Sequence, residues 1–338
     1  MERIIVLRSP KKHLAIAMIV ILQILVVTNC GAESFVLDFN EEPRSCVAHE
    51  DTDWGYYGQV SNPRASDRKP ILLPLDWGRQ FEDCGHMYAP MHRQSPIELP
   101  TLADDLPPET KVDIVFGRYS AQDFVAENNC HTVQATPLSE QQQTESAIMI
   151  AGKPYRLLQF HMHTPSEHVF DTGEHGTVNY PIELHFVHAA VGENGRLDSN
   201  QLAVVGLFLD IAHGDVKPER TVDTALATMA LNLRVVSHPY AAHNAQTTAQ
   251  QTLSIDLNEL LVNHTEHIYH YRGSLTTPPC SEVVEWLVLA KPAVISVATY
   301  QLVQARKLDV GFANNRPPIP ATPAHRLRYK TPQLFSNN

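Results

Sequence analysis

Apolar positions along the chain recur at two spacings, and the shorter one dominates. Alternation with period two, or brief apolar runs bounded by Pro, Gly and Asn, predicts strands over residues 112–116, 156–163, 183–188, 202–209, 268–271 and 283–289. The run Leu202-Ala203-Val204-Val205-Gly206-Leu207 is apolar on both faces, as a central strand of a covered sheet must be. Helical spacing is confined to residues 223–233, rich in Ala and Leu, and to 299–307, where Leu302 and Ala305 lie three apart. Residues 238–251 hold few bulky apolar side chains and predict an exposed loop. With no internal repeat and no linker, this pattern gives a mainly β domain with a few short peripheral helices.

The first residues break the pattern. Arg3, Arg8, Lys11 and Lys12 precede an apolar run from Leu14 to Val27, interrupted only by Gln23, and Cys30-Gly31-Ala32 supplies small residues beyond it. This predicts a secretory signal over residues 1–32, with an uncleaved signal anchor as the alternative; the run falls short of the ~18 residues of a spanning helix. An acidic, weakly patterned arm over 33–53 follows, then the main domain over 54–331 and a tail over 332–338.

The 338 residues are 43% hydrophobic, enough for a full core, with 26 basic against 37 acidic side chains and a formal net charge of −11. Loss of residues 1–32 leaves 22 basic against 36 acidic groups, a balance of −14. Such a surface argues against nucleic acid and against a charge-held membrane anchor. The expected location is secreted or otherwise noncytosolic: extracellular, periplasmic or an organelle lumen. Cys46, Cys84, Cys130 and Cys280 remain after cleavage and allow three disulfide connectivities. Asn263-His264-Thr265 is a glycosylation sequon.

Candidate chemistry sits on two of the predicted strands. In Leu158-Gln159-Phe160-His161-Met162-His163, alternation puts Gln159, His161 and His163 on one face and Leu158, Phe160 and Met162 on the other. Ile182-Glu183-Leu184-His185-Phe186-Val187 sorts likewise, with Glu183, His185 and Val187 together. If the two strands are neighbours, three imidazoles converge, with Glu183 within reach of a ring nitrogen. Three neutral histidines leave a tetrahedral zinc one open position, the arrangement of a catalytic site. No His-Glu-x-x-His helix occurs, so a zinc protease of that type is not indicated.

Longer runs carry a resemblance. Trp54-Gly55-Tyr56, Gln94-Ser95-Pro96-Ile97, the phrase QFHMHTPSEH from Gln159 to His168, Glu183-Leu184-His185, GSLTTPPC from Gly273 to Cys280 and Asn315-Arg316-Pro317-Pro318 occur in the order seen in the α-class carbonic anhydrases. The chain resembles that family over most of residues 54–329, and Thr164-Pro165-Ser166 is more similar to its bacterial, algal and plant branches. The resemblance implies a single domain around a large, mostly antiparallel central sheet, and zinc-dependent reversible hydration of carbon dioxide to bicarbonate and a proton by hydroxide formed at the metal. It assigns His161, His163 and His185 as zinc ligands and Gln159 and Glu183 as their outer partners. Thr276 and Glu167 orient the hydroxide; Val187, Val204, Leu275, Thr276, Thr277 and Trp286 form the substrate pocket. His131 shuttles protons through a water network organised by Tyr56, Asn129 and Gln134. A Cys84–Cys280 disulfide is implied as well, which leaves Cys46 and Cys130 either paired with each other or as free thiols. Departures from the family pattern are Cys130 for glycine, Arg272 for proline or asparagine, and Thr164 for the vertebrate tryptophan. The rival expectation is a catalytically weak secreted binding or matrix protein on the same fold, although such members typically lose a ligand histidine and none is missing here. Oligomeric state, monomer or dimer, is left open.

Overall fold

The path of the central sheet follows from where the chain is β-branched and aromatic. The structure, a computed structural model, describes residues 54–56, 72–101, 113–117, 119, 122–128, 131–138, 147–172, 176–231, 234–235, 252–307 and 313–334. Expectations for residues 1–53, Asn129, Cys130, the loop 238–251 and residues 335–338 lie outside these. Nine strands form the main path: β1 (Gln122–Asn128), β2 (Val133–Pro137), β3 (Lys153–His163), β4 (Ile182–Val191), β5 (Leu197–Ile211), β6 (Arg234–Val235), β7 (Ile268–Gly273), β8 (Val284–Leu289) and β9 (Arg328–Lys330). They run in the order β6-β1-β2-β3-β4-β5-β8-β7-β9. Pairing is antiparallel except for β6 with β1 and β5 with β8. Every described residue falls within one compact unit, Pro43–Asn338.

The strands extend past their apolar runs. β5 begins at Leu197, not 202, because Asp198 pairs with Ala190 of β4 in a hairpin that runs out into solvent, where alternation is not required. Helices α1 (Arg220–Leu231), α2 (Leu257–Leu261) and α3 (Val297–Lys307) flank the sheet. α3 starts earlier than its apolar spacing because Ser296 Oγ accepts from Thr299 N at 3.1 Å, an N-cap.

The two faces of the sheet have different jobs. Phe160, Met162, Leu184, Phe186, Val205, Leu207 and Leu287 join Leu226, Met229, Leu260 and Val303 of the helices in the larger core. Burying such side chains contributes roughly 1.5–3 kcal/mol each. Phe160 meets Phe124 edge-on and stacks on Phe186, with centroids 5.2 and 5.3 Å away. On the opposite face Val187, Val204, Phe208, Tyr271, Trp286 and Val288 form a second cluster.

One sorting differs from the sequence pattern. The β3–β4 register shifts between Leu157 and Gln159, so Leu157 lies in the helix-side core while Leu158 packs with the other face, not with Phe160 and Met162. A β-bulge resets the alternation at this point.

Cys84 and Cys280 form a disulfide with Cα atoms 5.0 Å apart. Such bonds persist in oxidising compartments, which points to a noncytosolic location. Among the described residues no helix is long and apolar enough to cross a membrane.

Candidate metal centre

Register brings the rings together. His161 of β3 faces His185 of β4, and His163 faces Glu183 one step along. One donor nitrogen from each of His161, His163 and His185 lies within 4.8 Å of the other two, a cluster able to hold a metal ion.

Each ring has one nitrogen committed elsewhere. His161 Nδ1 donates to Gln159 Oε1 at 2.9 Å, and His163 Nδ1 donates to the backbone carbonyl of Asn314 at 2.6 Å. His185 Nε2 lies 2.9 Å from Glu183 Oε1, within reach of the carboxylate's charge although off the angle of a hydrogen bond. A carbonyl and a carboxylate can only accept, so these contacts fix the protons and leave His161 Nε2, His163 Nε2 and His185 Nδ1 with lone pairs. His161 Nε2 and His163 Nε2 face each other at 3.1 Å. Two bare lone pairs at that distance cannot hydrogen-bond to each other, and a cation between them removes the repulsion. Burial, assisted by the neighbouring His185, lowers the pKa of His161 to about 3. Burial likewise holds His163 well below the ordinary value, and His185 below it against the pull of Glu183. All three are therefore neutral near pH 7, the protonation state a metal ligand needs.

Around the rings lies a buried polar frame. Glu183 Oε2 accepts from the backbone N–H of Glu167 and of His168, both at 2.9 Å, and Oε1 accepts from His168 Nδ1 at 2.7 Å. Burial pushes Glu183 up, yet His168 and His185 bring it well below the usual carboxylate range. Burial raises the pKa of Glu167 well above the usual carboxylate value, although a hydrogen bond with Thr276 and one from the backbone N–H of Arg316, at 2.8 Å, oppose the rise. Glu167 Oε2 also lies 3.4 Å from His163 Nε2.

The loop carrying Thr276 is pinned from several sides. Ser95 N donates to Ser274 Oγ at 2.9 Å, Ser274 N donates to Ser95 Oγ at 3.0 Å, and Trp286 Nε1 donates to Ser274 O at 3.0 Å. At Gly273 an added Cβ would come within 2.2 Å of Ser95 Oγ, so only glycine lets these chains approach. Cys280 N donates to Thr277 O at 2.8 Å, and the Cys84–Cys280 bond ties down the loop's far end.

Val187, Val204 and Trp286 occupy one rung across β4, β5 and β8, and Leu275 packs on the same cluster beside the rings. Gln134 of β2 pairs with His161. Buried Tyr56 packs edge-on to Trp77, with centroids 5.7 Å apart. His131, half-buried, stacks on Trp54 with centroids 4.1 Å and planes 12° apart.

Sequence reasoning missed Asn314 as a hub. Its backbone carbonyl holds His163, its Oδ1 accepts from Thr164 N, and its Nδ2 donates to the carbonyls of His131 and Met162. Arg316 does more than its place in the Asn315-Arg316-Pro317-Pro318 run implies. It is fully buried and donates to Gln94 Oε1, Ser95 O and Cys84 O. The signal available was adjacency: both residues lie in or beside Asn315-Arg316-Pro317-Pro318.

A β-sheet face bearing three neutral imidazoles above an apolar wall could hold a metal ion, and the comparisons with known proteins give the family. Residues 72–322 match the family described as eukaryotic-type carbonic anhydrase, and the chain belongs to that family. It is 28% identical over 279 residues to a carbonic anhydrase of Nostoc sp., covering 81% of this chain and 86% of that one. To a carbonic anhydrase of Neisseria gonorrhoeae it is 29% identical, covering 82% and 88%. The solved alpha-carbonic anhydrase of Photobacterium profundum superposes with TM-score 0.51 at 28% identity, over 77% of this chain and 94% of that one. These relatives support a carbonic anhydrase lyase, and the family is zinc-dependent. Dioscorin, solved in complex with ascorbate, shares the fold at 22% identity and TM-score 0.53.

Proposed function

We propose that this protein catalyses the reversible hydration of carbon dioxide at a zinc ion held by His161 Nε2, His163 Nε2 and His185 Nδ1. The observation that carries the reading is that His161 Nδ1 and His163 Nδ1 donate to acceptors and His185 Nε2 lies beside Glu183 Oε1, which leaves three lone pairs within 4.8 Å of one another. Bound zinc supplies a water acidic enough to serve as nucleophile at neutral pH, as is known for carbonic anhydrases.

The chain's own groups do the rest. Thr276 spends its hydroxyl proton on Glu167, so its oxygen accepts from the attacking solvent and disfavours species without a proton to donate. Val187, Val204, Leu275 and Trp286 offer apolar surface to a substrate with no charge to grip, and Thr277 closes the wall beside Thr276. His131 carries the released proton to bulk solvent, through waters ordered by Tyr56, Gln134 and Asn129. Gln159, Glu183 and Asn314 fix ring tautomer and raise ligand basicity. Export by residues 1–32, an acidic arm over 33–53, a catalytic domain over 54–331, a Cys46–Cys130 bond and a glycan on exposed Asn263 belong to the same proposal.

The test is carbon dioxide hydration by the purified chain with zinc quantified in the same sample. One zinc per chain with saturable hydration is expected. Full zinc with no hydration would transfer the protein to the binding-protein reading. His131→Ala is expected to slow turnover at least tenfold in weak buffer, with recovery on adding imidazole; equal loss in strong buffer would assign the proton route elsewhere.

A further inference from the structure

The face of the sheet turned away from the rings carries a cavity of about 550 Å³, unrelated to the chemistry above. Along β7 and β8, His270, Arg272 and Glu285 alternate with Tyr271 and Trp286, so they point away from the histidine face. Lys153, Arg272, Arg326, Arg328 and Lys330 line this cavity, with Glu285 as its one carboxylate. Glu285 is already engaged, by His270 Nε2 at 2.8 Å and Arg272 Nε at 3.0 Å. Five cationic side chains thus share one cavity with one neutralised acid, on a chain whose formal net charge is −11.

Two further observations point to a ligand. Arg328 Nε is buried and has no hydrogen-bond partner among the described residues, and Arg328 Nη1 reaches only the carbonyl of Leu327, at 2.8 Å. Neither Arg326 nor Arg328 forms an ion pair with a carboxylate among the described residues, so both charges remain available to an anion in the cavity. Arg326, at φ 54°, is the left-handed C-cap of the short turn Pro323–His325, and its exposed side chain lines the cavity.

We infer that this cavity binds a small, multiply charged oxyanion: a phosphate or sulfate ester that spans Arg326, Arg328 and Arg272. Planar guanidinium forks suit tetrahedral oxyanions, and the volume suits a ligand of sugar bisphosphate size rather than a single bicarbonate. Tyr155 on the cavity wall gives the uncharged body of the ligand an apolar surface.

The experiment is calorimetric titration of the zinc-loaded full chain at low salt with fructose 1,6-bisphosphate and, separately, with a disulfated disaccharide. Saturable 1:1 binding of at least one probe is expected, weakened at least fivefold by Arg328→Gln and by Arg326→Gly. The second substitution suits the left-handed backbone and so keeps the fold, and both variants leave the histidine centre untouched, with hydration changed less than twofold. Tighter binding of the bisphosphate identifies a phosphate ester, and tighter binding of the disulfated sugar a sulfate ester. No saturable binding of either probe at millimolar concentration, or binding that both variants leave undiminished, overturns the inference.

Discussion

Two backbone amides and two imidazole nitrogens converge on the carboxylate of Glu183. Glu183→Gln would turn an acceptor toward donors as a competing NH2. It is expected to destabilise the fold by about 3–5 kcal/mol in urea unfolding, because buried charges and N–H groups lose their partner. Zinc affinity, measured by competition with a chelator, is expected to fall about 10–100-fold. On the proposed function, His163→Ala should instead abolish stoichiometric zinc while the fold survives, since only the Asn314 carbonyl loses its partner. At this scale the three rings were legible because a period of two sorts them without knowledge of the partner strand. Asn314 was not, because its carbonyl meets His163 across 151 residues and a backbone acceptor has no sequence signature.

Strand register converts those residues into a centre. His161, His185 and Gly206 lie on one rung of β3, β4 and β5, and a Cβ at position 206 would come within 2.9 Å of Glu183 Oε1. Gly206→Ala is therefore expected to cost about 1–3 kcal/mol by overpacking and to loosen zinc together with stability, read by thermal unfolding and chelator competition. On β8, burial pushes Glu285 up, but hydrogen bonds and charge from His270 and Arg272 hold it below the ordinary carboxylate value. A carboxyl depressed in the fold binds protons more readily once unfolded, so its contribution is complete above about pH 4.3 and is lost as pH falls through the lower folded value. The stability gap between the native chain and Glu285→Gln is expected to narrow on acidification below about pH 4 in urea titrations. Strand cores could be read from apolar runs; the polar hairpin ends of β4 and β5 could not, because pairing rather than burial sustains them.

Across the whole molecule, the Cys84–Cys280 bond closes a span of 196 residues and holds the Thr276 loop against the segment carrying Gln94. Replacing both cysteines by serine is expected to cost about 2–5 kcal/mol in chemical unfolding, with hydration falling more steeply on heating than in the native chain. A mainly β domain could be anticipated from pattern alone, whereas its division into a helix-covered face and a histidine face depends on how distant strands line up. The extra residue at Leu158 shows what that alignment entails. β3 behaves like a reading frame: removing one residue there would turn Tyr155 and Leu157 outward or His161 and His163 into the oily interior, whatever replaced them. A length change in this strand is thus a harsher edit than a single exchange of side chain.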